Sequence, residues 1–396
     1  MMLDVHFRGL AAPLRLTAAE ALLPVLAEVD SGWPHAARTA DPVACPFFSI
    51  AGQGSLYRCE NHVEGRPARL LDAVNAVCDA VTGLALALPA QDDRLLCLHA
   101  AGVEMGGTLV VFPNVRRAGK SMLAAALARA GHRVFSDDVL PVVFPPGQRA
   151  VAQSMGIAPR LRLPLPDTLP QGFRDWSERI AGPRNRQYRY LSLPNPPRRG
   201  ESLPIGAFVI LDRRDAPVPA RLEEAAPDEA MDALLHQNFT RDRHSGDVLA
   251  VMAAALEGVP VRRLTYSAAD DAAACLHGGL AVQAPSHRAD GAVLRFRPAE
   301  AGPAPASPDT GAVLRQRPGT VARIIGGALY LADAEGRAIH RMDPLAAAIW
   351  EILEAPTMPA EIEHILAGAF PDVDRIRLRS DLAGLLGNLS AAGLIE

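Results

Sequence analysis

Residues 108–131 read TLVVFPNVRRAGKSMLAAALARAG, and this segment predicts the architecture of the central part of the chain. It begins with a continuous apolar run from Thr108 to Phe112, which is typical of a buried strand. The Ala- and Leu-rich run from Ser121 to Ala130 predicts a helix that ends at Gly131. A second strand begins at Val134. The order strand, loop, helix and strand is that of a nucleotide-binding βαβ unit.

The loop of this unit, Asn114 to Ser121, follows the phosphate-loop pattern GxxxxGK[ST], except that Asn114 replaces the first glycine. Asparagine is an acceptable substitute because it tolerates a left-handed backbone. Lys120 is the only lysine among the 40 lysine and arginine residues of the chain. Its thin stem fits a cradle of backbone N–H groups in which the wide fork of arginine has no room. We therefore expect a nucleotide to bind at Asn114, Val115, Arg116, Arg117, Ala118, Gly119, Lys120, Ser121 and Met122.

The chemistry of a phosphate loop assigns a role to each group in it. Backbone N–H groups and the start of the following helix bind phosphate oxygens. Lys120 neutralises the β- and γ-phosphates, and the Ser121 hydroxyl ligates Mg²⁺. Arg116 and Arg117 are unusual in such a loop, and they either contact phosphate or substrate or point to solvent. The loop thus predicts Mg²⁺ and a nucleotide with β- and γ-phosphates as the ligands.

Two acids and a histidine accompany the loop. Asp137 and Asp138 come at the end of the second strand, and adjacent residues of a strand point to opposite faces. One acid could therefore hold the metal or the loop while the other reaches the substrate. Strands of a βαβ unit end at the same edge, so we expect both acids beside the phosphates. A lone histidine is usually structural, and for His99 the structural and functional interpretations both stay open.

The order of these motifs resembles the catalytic domain of HPr kinase/phosphorylase. The matching positions run from residue 95 to 145 and comprise His99, Lys120-Ser121, Gly131-His132-Arg133 and Asp137-Asp138. The resemblance implies an α/β P-loop kinase domain that uses ATP, with Mg²⁺, to phosphorylate a protein or peptide hydroxyl. It implies that Asp138 is the base and that Asp137 assists, either at the metal with Ser121 or in positioning. Lys120 and His99 complete the catalytic set.

Some features of that family have no clear counterpart in this chain. Its downstream metal-binding glutamate has no match, which leaves the reverse phosphorylase activity open. Its later phosphate-contacting arginine could correspond to any of three residues: Arg184, Arg186 or Arg189.

A different pattern follows Thr320. Val321–Ile325, Ala328–Leu331 and Ala338–Met342 are short strand candidates, with glycine-containing turns between them. Asp343-Pro344 then begins a helix, with Asp as N-cap and Pro at the first helical position. Further helices begin near Pro359 and Ile376. Three strands followed by three helices predict an α+β module that is similar to a winged helix-turn-helix.

This C-terminal module resembles the PqqD family through its hairpin, its Asp343-Pro344 helix start with Trp350, and the closing residues 391–395 (AAGLI). The resemblance implies that the module captures the leader of a ribosomally synthesised precursor peptide as an added strand. The groove residues implied in this way are Ile339, His340, Arg341, Leu378 and Asp381. The alternative is that the leucines are merely core. DNA binding is disfavoured because three aspartates offset the arginines at the start of the third helix.

Bulk composition narrows the function classes. The net charge of −4 does not indicate the basic surface that nucleic-acid binding requires. The five scattered cysteines include no CxxC pair, which argues against a zinc site. We see no signal peptide, and the apolar stretches Leu84–Ala90 and Val248–Leu256 are too short to span a bilayer. We therefore expect a cytoplasmic protein with no membrane or nucleic-acid partner. A homo-oligomer stays open.

These patterns divide the chain into an N-terminal α+β region of unknown role (1–94) packed on the kinase body, the HPr-kinase-like domain (95–296), a Pro- and Ala-rich linker (297–319) and the PqqD-like module (320–396). The leading hypothesis is an ATP-dependent serine/threonine kinase of a precursor peptide. One alternative is a nucleotide-binding peptide scaffold or chaperone without catalytic activity. Another is a regulatory kinase of a carrier protein.

Overall fold

A computed structural model of the chain describes residues 1–114, 118–145, 149–167, 169–240, 242–280, 295–300 and 312–396. The chain forms two compact units. The first comprises Met1–Thr240 with Ala255–Arg295, and the second comprises Arg241–Ala254 with Phe296–Glu396. Residues 241–254 thus belong to the second unit, although the sequence predicts that they lie inside the domain before the linker.

The first 91 residues of the first unit build a sheet and the helices that cover it. The sheet order is β3-β1-β2-β4-β5-β6, and its neighbours are antiparallel except β2 and β4, which are parallel. The strands are β1 (Met2–Phe7), β2 (Leu14–Thr17), β3 (His35–Thr39), β4 (Phe48–Gln53), β5 (Leu56–Asn61) and β6 (Arg69–Leu71). The helices are a 3-10 turn (Glu20–Leu22), α1 (Leu23–Val29) and α2 (Ala73–Gln91).

Helix α2 is long and apolar enough to cross a membrane when only length and composition are considered, with a mean hydropathy of 1.5. The apolar stretch Leu84–Ala90, which is too short by itself, covers only part of this helix. However, 61% of the apolar window is buried inside the structure. Gly83 lies against the rings of Phe47 and Phe48, and this packing on the first sheet accounts for the apolar composition.

The rest of the first unit is built around a second, mixed sheet. Its order is β10-β8-β9-β15-β12-β11-β7, and β17 pairs with both β15 and β16. The strands are β7 (Leu96–Leu98), β8 (Ala101–Met105), β9 (Thr108–Phe112), β10 (Val134–Ser136), β11 (Leu140–Val143), β12 (Val151–Gln153), β15 (Ser202–Arg213), β16 (Arg221–Glu224) and β17 (Val261–Tyr266). A separate ribbon pairs β13 (Arg160–Arg162) with β14 (Tyr188–Tyr190). The helices are α3 (Lys120–Arg129), α4 (Gln171–Arg179), α5 (Pro227–Gln237), α6 (Ser245–Leu256), which begins in the second unit, and α7 (Ala269–Gly279).

The strand predicted at Thr108–Phe112 is confirmed as β9, with all of its residues buried, and the predicted helix begins one residue early as α3. β9 runs parallel to β15 and antiparallel to β8, while β8 is also antiparallel to β10. β9 and β10 therefore run in the same direction with β8 between them. The chain leaves both strands at one edge of the sheet, and this edge positions the candidate site.

The second unit follows the predicted strand and helix pattern closely. Its sheet order is β18-β19-β20, antiparallel throughout. Gly326 and Gly327, with φ of 59° and 87°, close the first hairpin because a two-residue turn of this kind needs positive φ at both positions. Asp343 caps the next helix by accepting a hydrogen bond from Ala346 N at 2.8 Å. The elements are β18 (Val321–Ile325), β19 (Ala328–Ala332), β20 (Ile339–Arg341), α8 (Pro344–Ile352), α9 (Pro359–Ala369) and α10 (Arg375–Ala391).

The end of the predicted linker is part of this second unit. Leu314 is buried, and its backbone exchanges hydrogen bonds with Thr357. Gln316 donates its backbone N–H to Leu353 O at 2.9 Å. Residues 312–319 are therefore packed against the helices rather than acting as a spacer, and residues 301–311 lie outside the described part of the chain.

Candidate functional site

The start of α3 holds the lysine that the sequence singles out. Gly119 has a φ of 95°, which favours glycine, and a Cβ there would collide with the Tyr266 hydroxyl. The next residue, Lys120, is only 6% exposed, and its Nζ donates to Asn114 O at 2.5 Å. The lysine side chain therefore reaches back to Asn114, just after the end of β9, instead of extending into solvent.

Asn114 does not have the backbone role that the sequence predicts. Its φ is not positive, since the described non-glycine residues with positive φ are Ala18 and Asn195. Its side-chain amide instead pairs with the backbone of Leu211 through both polar atoms, at 2.8 and 2.9 Å. The amide occupies the place of a strand neighbour where the ladder between β9 and β15 has ended, so Asn114 fixes the start of the loop.

The other predicted loop residues can be placed only in part. Val115, Arg116 and Arg117 lie outside the described residues. Ala118 accepts a hydrogen bond from the Tyr266 hydroxyl through its carbonyl at 3.3 Å. The Met122 side chain packs against the core beneath α3, so its backbone N–H is the group that could face a nucleotide.

Ser121 and Asp137 meet at the edge where β9 and β10 end. Asp137 is 7% exposed, and it accepts hydrogen bonds from the Ser121 hydroxyl and from Arg160 N, the latter at 3.2 Å. Burial and then repulsion by Asp138 raise the pKa of Asp137 to about 6. Hydroxyl and carboxylate oxygens are the ligands that Mg²⁺ prefers, so this pair fits the predicted magnesium site. Among the described residues there is no group of three or more His, Cys, Asp or Glu side chains arranged for a metal ion.

Asp138 lies between the side chains of His99 and Arg160. His99 Nε2 is 2.8 Å from Oδ1, and Arg160 Nη2 is 2.7 Å from Oδ2. Partial burial opposes ionisation, but the hydrogen bond from His99 and the charge of Arg160 prevail and lower the pKa of Asp138 to about 2. The carboxylate is still 36% exposed, so it is the acid that a substrate could reach.

The expectation that the two acids point to opposite faces of a strand is wrong. β10 ends at Ser136, and a bend follows, so the strand alternation no longer applies to Asp137 and Asp138. The Ser136 hydroxyl accepts from Asp138 N at 3.1 Å and thereby holds the bend. Both carboxylates consequently contact Arg160, one through its backbone and one through its side chain.

Arg160 is the site residue that the sequence analysis misses. It lies on β13, its guanidinium is 4.9 Å from the centre of the Tyr188 ring, and it donates to Cys78 Sγ on α2. Burial and the neighbouring Cys78 raise the pKa of Tyr190, although Arg160 opposes the shift. An isolated Arg-Leu-Arg segment gives no motif, so only the hydrophobic alternation around Leu161 could have indicated the strand.

The arginines proposed from the HPr kinase resemblance lie elsewhere. Glu178 pairs with Arg184 at 3.0 Å and with Arg189 at 2.5 Å. Arg186 is exposed. The Gly-His-Arg turn is also structural: Gly131 has a φ of 95° after α3, and Arg133 pairs with Glu104 and Glu201.

The predicted peptide-groove residues lie in different environments. Leu378 is a core residue and is only 7% exposed. His340 stands opposite Leu331, which belongs to the same core. The Ile339 and Arg341 side chains lie on the other face of β20, because neighbouring strand residues alternate. Asp381 is exposed on α10, 3.6 Å from Arg377. β20 lies at one edge of the described sheet.

Comparison with known proteins identifies part of the chain. Residues 329–395 match the family model described as Coenzyme PQQ synthesis protein D (PqqD), which confirms the resemblance of the C-terminal part. No family model supports the resemblance of the first unit to HPr kinase. No curated protein matches the chain. The chain is therefore a mixed α/β protein that carries a PqqD domain at its C-terminal end.

Proposed function

We propose that the chain is an ATP-dependent kinase that phosphorylates a serine or threonine hydroxyl of a ribosomally synthesised precursor peptide. The leader of that peptide binds to the PqqD domain. One observation carries the proposal: Lys120, Ser121, Asp137 and Asp138 converge at the edge where β9 and β10 end. This is the set of groups that phosphoryl transfer from a nucleotide requires.

The nucleotide would bind at the start of α3. Helix N-termini attract phosphate through their unpaired N–H groups and their dipole. Lys120 is already held by Asn114 O at the start of α3, so its charge is fixed where phosphate oxygens would lie. The left-handed Gly119 allows the backbone to turn into the helix at this point.

Ser121 and Asp137 would hold Mg²⁺ between them. The metal bridges and neutralises phosphate oxygens when it is bound. Asp137 fits this role better than Asp138 because it is buried against the loop and is hydrogen-bonded to Ser121. The chain thus separates the two acids by function: the buried one faces the metal, and the exposed one faces the substrate.

Asp138 would orient the acceptor hydroxyl. His99 and Arg160 fix its carboxylate from two sides. A carboxylate whose pKa is held near 2 is a weak base, and proton transfer is most efficient near the operating pH. Phosphoryl transfer depends mainly on positioning and charge neutralisation, so the principal contribution of Asp138 is to accept a hydrogen bond from the hydroxyl.

The PqqD domain would supply the substrate. An extended leader can add to the edge of a sheet through main-chain hydrogen bonds, and β20 provides such an edge. A leader bound in this way keeps the rest of the precursor at a high effective concentration near the kinase site. This explains why one chain would combine the two activities.

The test is phosphorylation of the precursor peptide encoded beside this chain. With Mg-ATP, the intact protein is expected to add one phosphate to the peptide, as read by mass spectrometry. Lys120→Ala and Lys120→Arg should both abolish the transfer, since the guanidinium does not fit the buried position. The proposal fails if the peptide binds but never gains phosphate, or if the Lys120→Ala protein is fully active.

One observation favours a second candidate, a nucleotide-binding peptide scaffold without kinase activity. The ion pair between Arg160 and Asp138 occupies the exposed acid and holds it ionised. A scaffold of this kind would bind ATP and peptide and leave the γ-phosphate intact. Equilibrium ATP binding together with no phosphate release over many hours would support it over the kinase.

A further inference from the structure

The ribbon beside Asp138 carries a second arginine on the same face as Arg160. Leu161 is buried between them, and alternate residues of a strand share a face, so Arg160 and Arg162 both lie on the face of the ribbon opposite Leu161. Their guanidinium carbons lie 4.9 and 5.8 Å from the centre of the Tyr188 ring. Arg160 contacts Asp138, and Arg162 is therefore the next cation along the ribbon.

Arg162 is exposed and has no acidic partner among the described residues. The acids of the segment that follows β13 are used by other groups. These pairs are Glu178 with Arg184 and Arg189, Asp167 with Arg174, and Asp175 with Gln171. The charge of Arg162 thus lies beside the candidate site, and its guanidinium contacts the Tyr188 ring.

We propose that Arg162 binds a carboxylate of the substrate peptide two residues from the acceptor hydroxyl. This inference rests on the proposed function, because it places the acceptor at Asp138. A strand rises about 3.3 Å per residue, so the Cα atoms of Arg160 and Arg162 are about 6.6 Å apart. Alternate side chains of an extended peptide have the same spacing. A peptide that lies along the ribbon with its hydroxyl at Asp138 therefore brings its second neighbour to Arg162.

The chemistry at Arg162 favours a carboxylate over a nucleotide phosphate. Phosphate has its own cation in Lys120 on the loop side of the acids, whereas Arg162 is reached from Arg160 on the ribbon side. The face of Tyr188 attracts the guanidinium and restricts its orientation. A planar guanidinium held in this way can accept a carboxylate with two parallel hydrogen bonds.

Binding of designed peptides to the full chain tests the inference without requiring catalysis. The probes are fluorescein-labelled nonapeptides with a central serine in alanine, carrying Glu at the second position on both sides or Gln at the same positions. Fluorescence anisotropy is expected to show about three- to tenfold tighter binding of the Glu peptide. Arg162→Gln should abolish this preference. Arg38→Gln removes the same charge from the exposed strand β3 and should leave the preference unchanged.

A third peptide, with Gln in place of Glu and a free terminal carboxylate two residues after serine, shows whether a chain terminus serves as well as a side chain. Equal or undetectable binding of the Glu and Gln peptides would overturn the inference. So would a Glu preference that survives Arg162→Gln, or a loss of ATP affinity in that variant with the preference intact. Phosphate transfer is measured separately, with Mg-ATP and the precursor peptide. If transfer is absent while the Arg162-dependent preference is present, the kinase proposal fails and the carboxylate site stands.

Discussion

The side-chain amide of Asn114 pairs with the backbone of Leu211 like a short extension of the β9–β15 ladder. Asn114 Nδ2 donates to Leu211 O at 2.9 Å, and Asn114 Oδ1 accepts from Leu211 N at 2.8 Å. Asn114 O also accepts from Lys120. Asn114, which replaces the first glycine of the loop pattern, therefore connects the sheet to Lys120. Its role differs from that of the glycine it replaces.

We expect Asn114→Gly, which restores the phosphate-loop pattern, to weaken the protein rather than improve it. Leu211 N–H and C=O would be left buried without partners, at a cost of about 1–3 kcal/mol for each group. Urea denaturation should show the loss, and the affinity for ATP should not rise. Asn195→Gly is the matched control because Asn195 is exposed with a φ of 51°, and it should change stability by less than about 0.5 kcal/mol. Tighter ATP binding by Asn114→Gly would contradict this role.

Gly119→Ala should reduce ATP affinity by two separable effects. A positive φ costs a non-glycine residue about 1–2 kcal/mol, and the new Cβ would also collide with the Tyr266 hydroxyl. Gly107→Ala has a similar φ of 75° with open space around it, so it isolates the backbone cost in denaturation experiments. Adding Tyr266→Phe to Gly119→Ala should recover part of the stability and of the ATP affinity. No recovery in the double variant would show that the hydroxyl is not the obstacle.

Asp30 is expected to make the stability of the first unit depend on pH. It is fully buried, neither carboxylate oxygen has a hydrogen-bond partner among the described residues, and burial raises its pKa to about 8. The folded state therefore keeps a proton that the unfolded chain loses near pH 4. Relative to an ionised Asp30, the protonated carboxyl stabilises the folded state. This contribution to the free energy of unfolding is fully present below pH 4 and is lost as the pH rises toward 8.

The Asp30→Asn variant measures this effect. Its free energy of unfolding should exceed that of the wild type by an amount that grows with pH, at most about 1.4 kcal/mol per unit, and levels off above pH 8. Denaturation in urea at pH 5 and pH 8 gives the two values. Asp215→Asn removes a solvent-exposed carboxylate and serves as the control. A difference between Asp30→Asn and wild type that is the same at both pH values would contradict the prediction.

Local patterns explain which parts of the fold could be predicted. The strand at Thr108–Phe112, the helix after it and the Gly326-Gly327 hairpin each depend on neighbouring residues, so their signals are complete within a short window. The N-cap at Asp343 has the same property. By contrast, the bend after Ser136 depends on a hydrogen bond to its hydroxyl, which no alternation pattern contains.

The partners of the site residues depend on chain segments that are distant in sequence. Arg160 reaches Asp138 across 22 residues and Cys78 across 82, and Asn114 reaches Leu211 across 97. Such contacts follow from the strand order of the sheet, which one sequence does not specify. The sequence therefore predicts the loop and the acids, while the arginine that orients one acid emerges only from the fold.

The sheet edge at β20 gives the last prediction. Ala338 O accepts from Asp333 N, and Met342 N donates to Leu329 O, so the backbone of His340, which lies between them, also faces β19. Alternation then directs the N–H and C=O of Ile339 away from the sheet. On β18, the same alternation directs the backbone of Ile324 away from β19 at the opposite edge.

Ile339→Pro should therefore weaken binding of the leader peptide at least tenfold, because proline removes an outward N–H without removing a hydrogen bond to β19. Ile324→Pro makes the same change at the other edge and should leave the affinity within about twofold, because the proposal places the leader at β20. The tenfold loss expected for Ile339→Pro corresponds to about 1.4 kcal/mol. Fluorescence anisotropy with the labelled leader measures both, and far-UV circular dichroism checks that each variant is folded. The reverse pattern, with Ile324→Pro alone losing affinity, would move the peptide to β18. Equal retention by both variants would mean that the leader binds without adding a strand to this sheet.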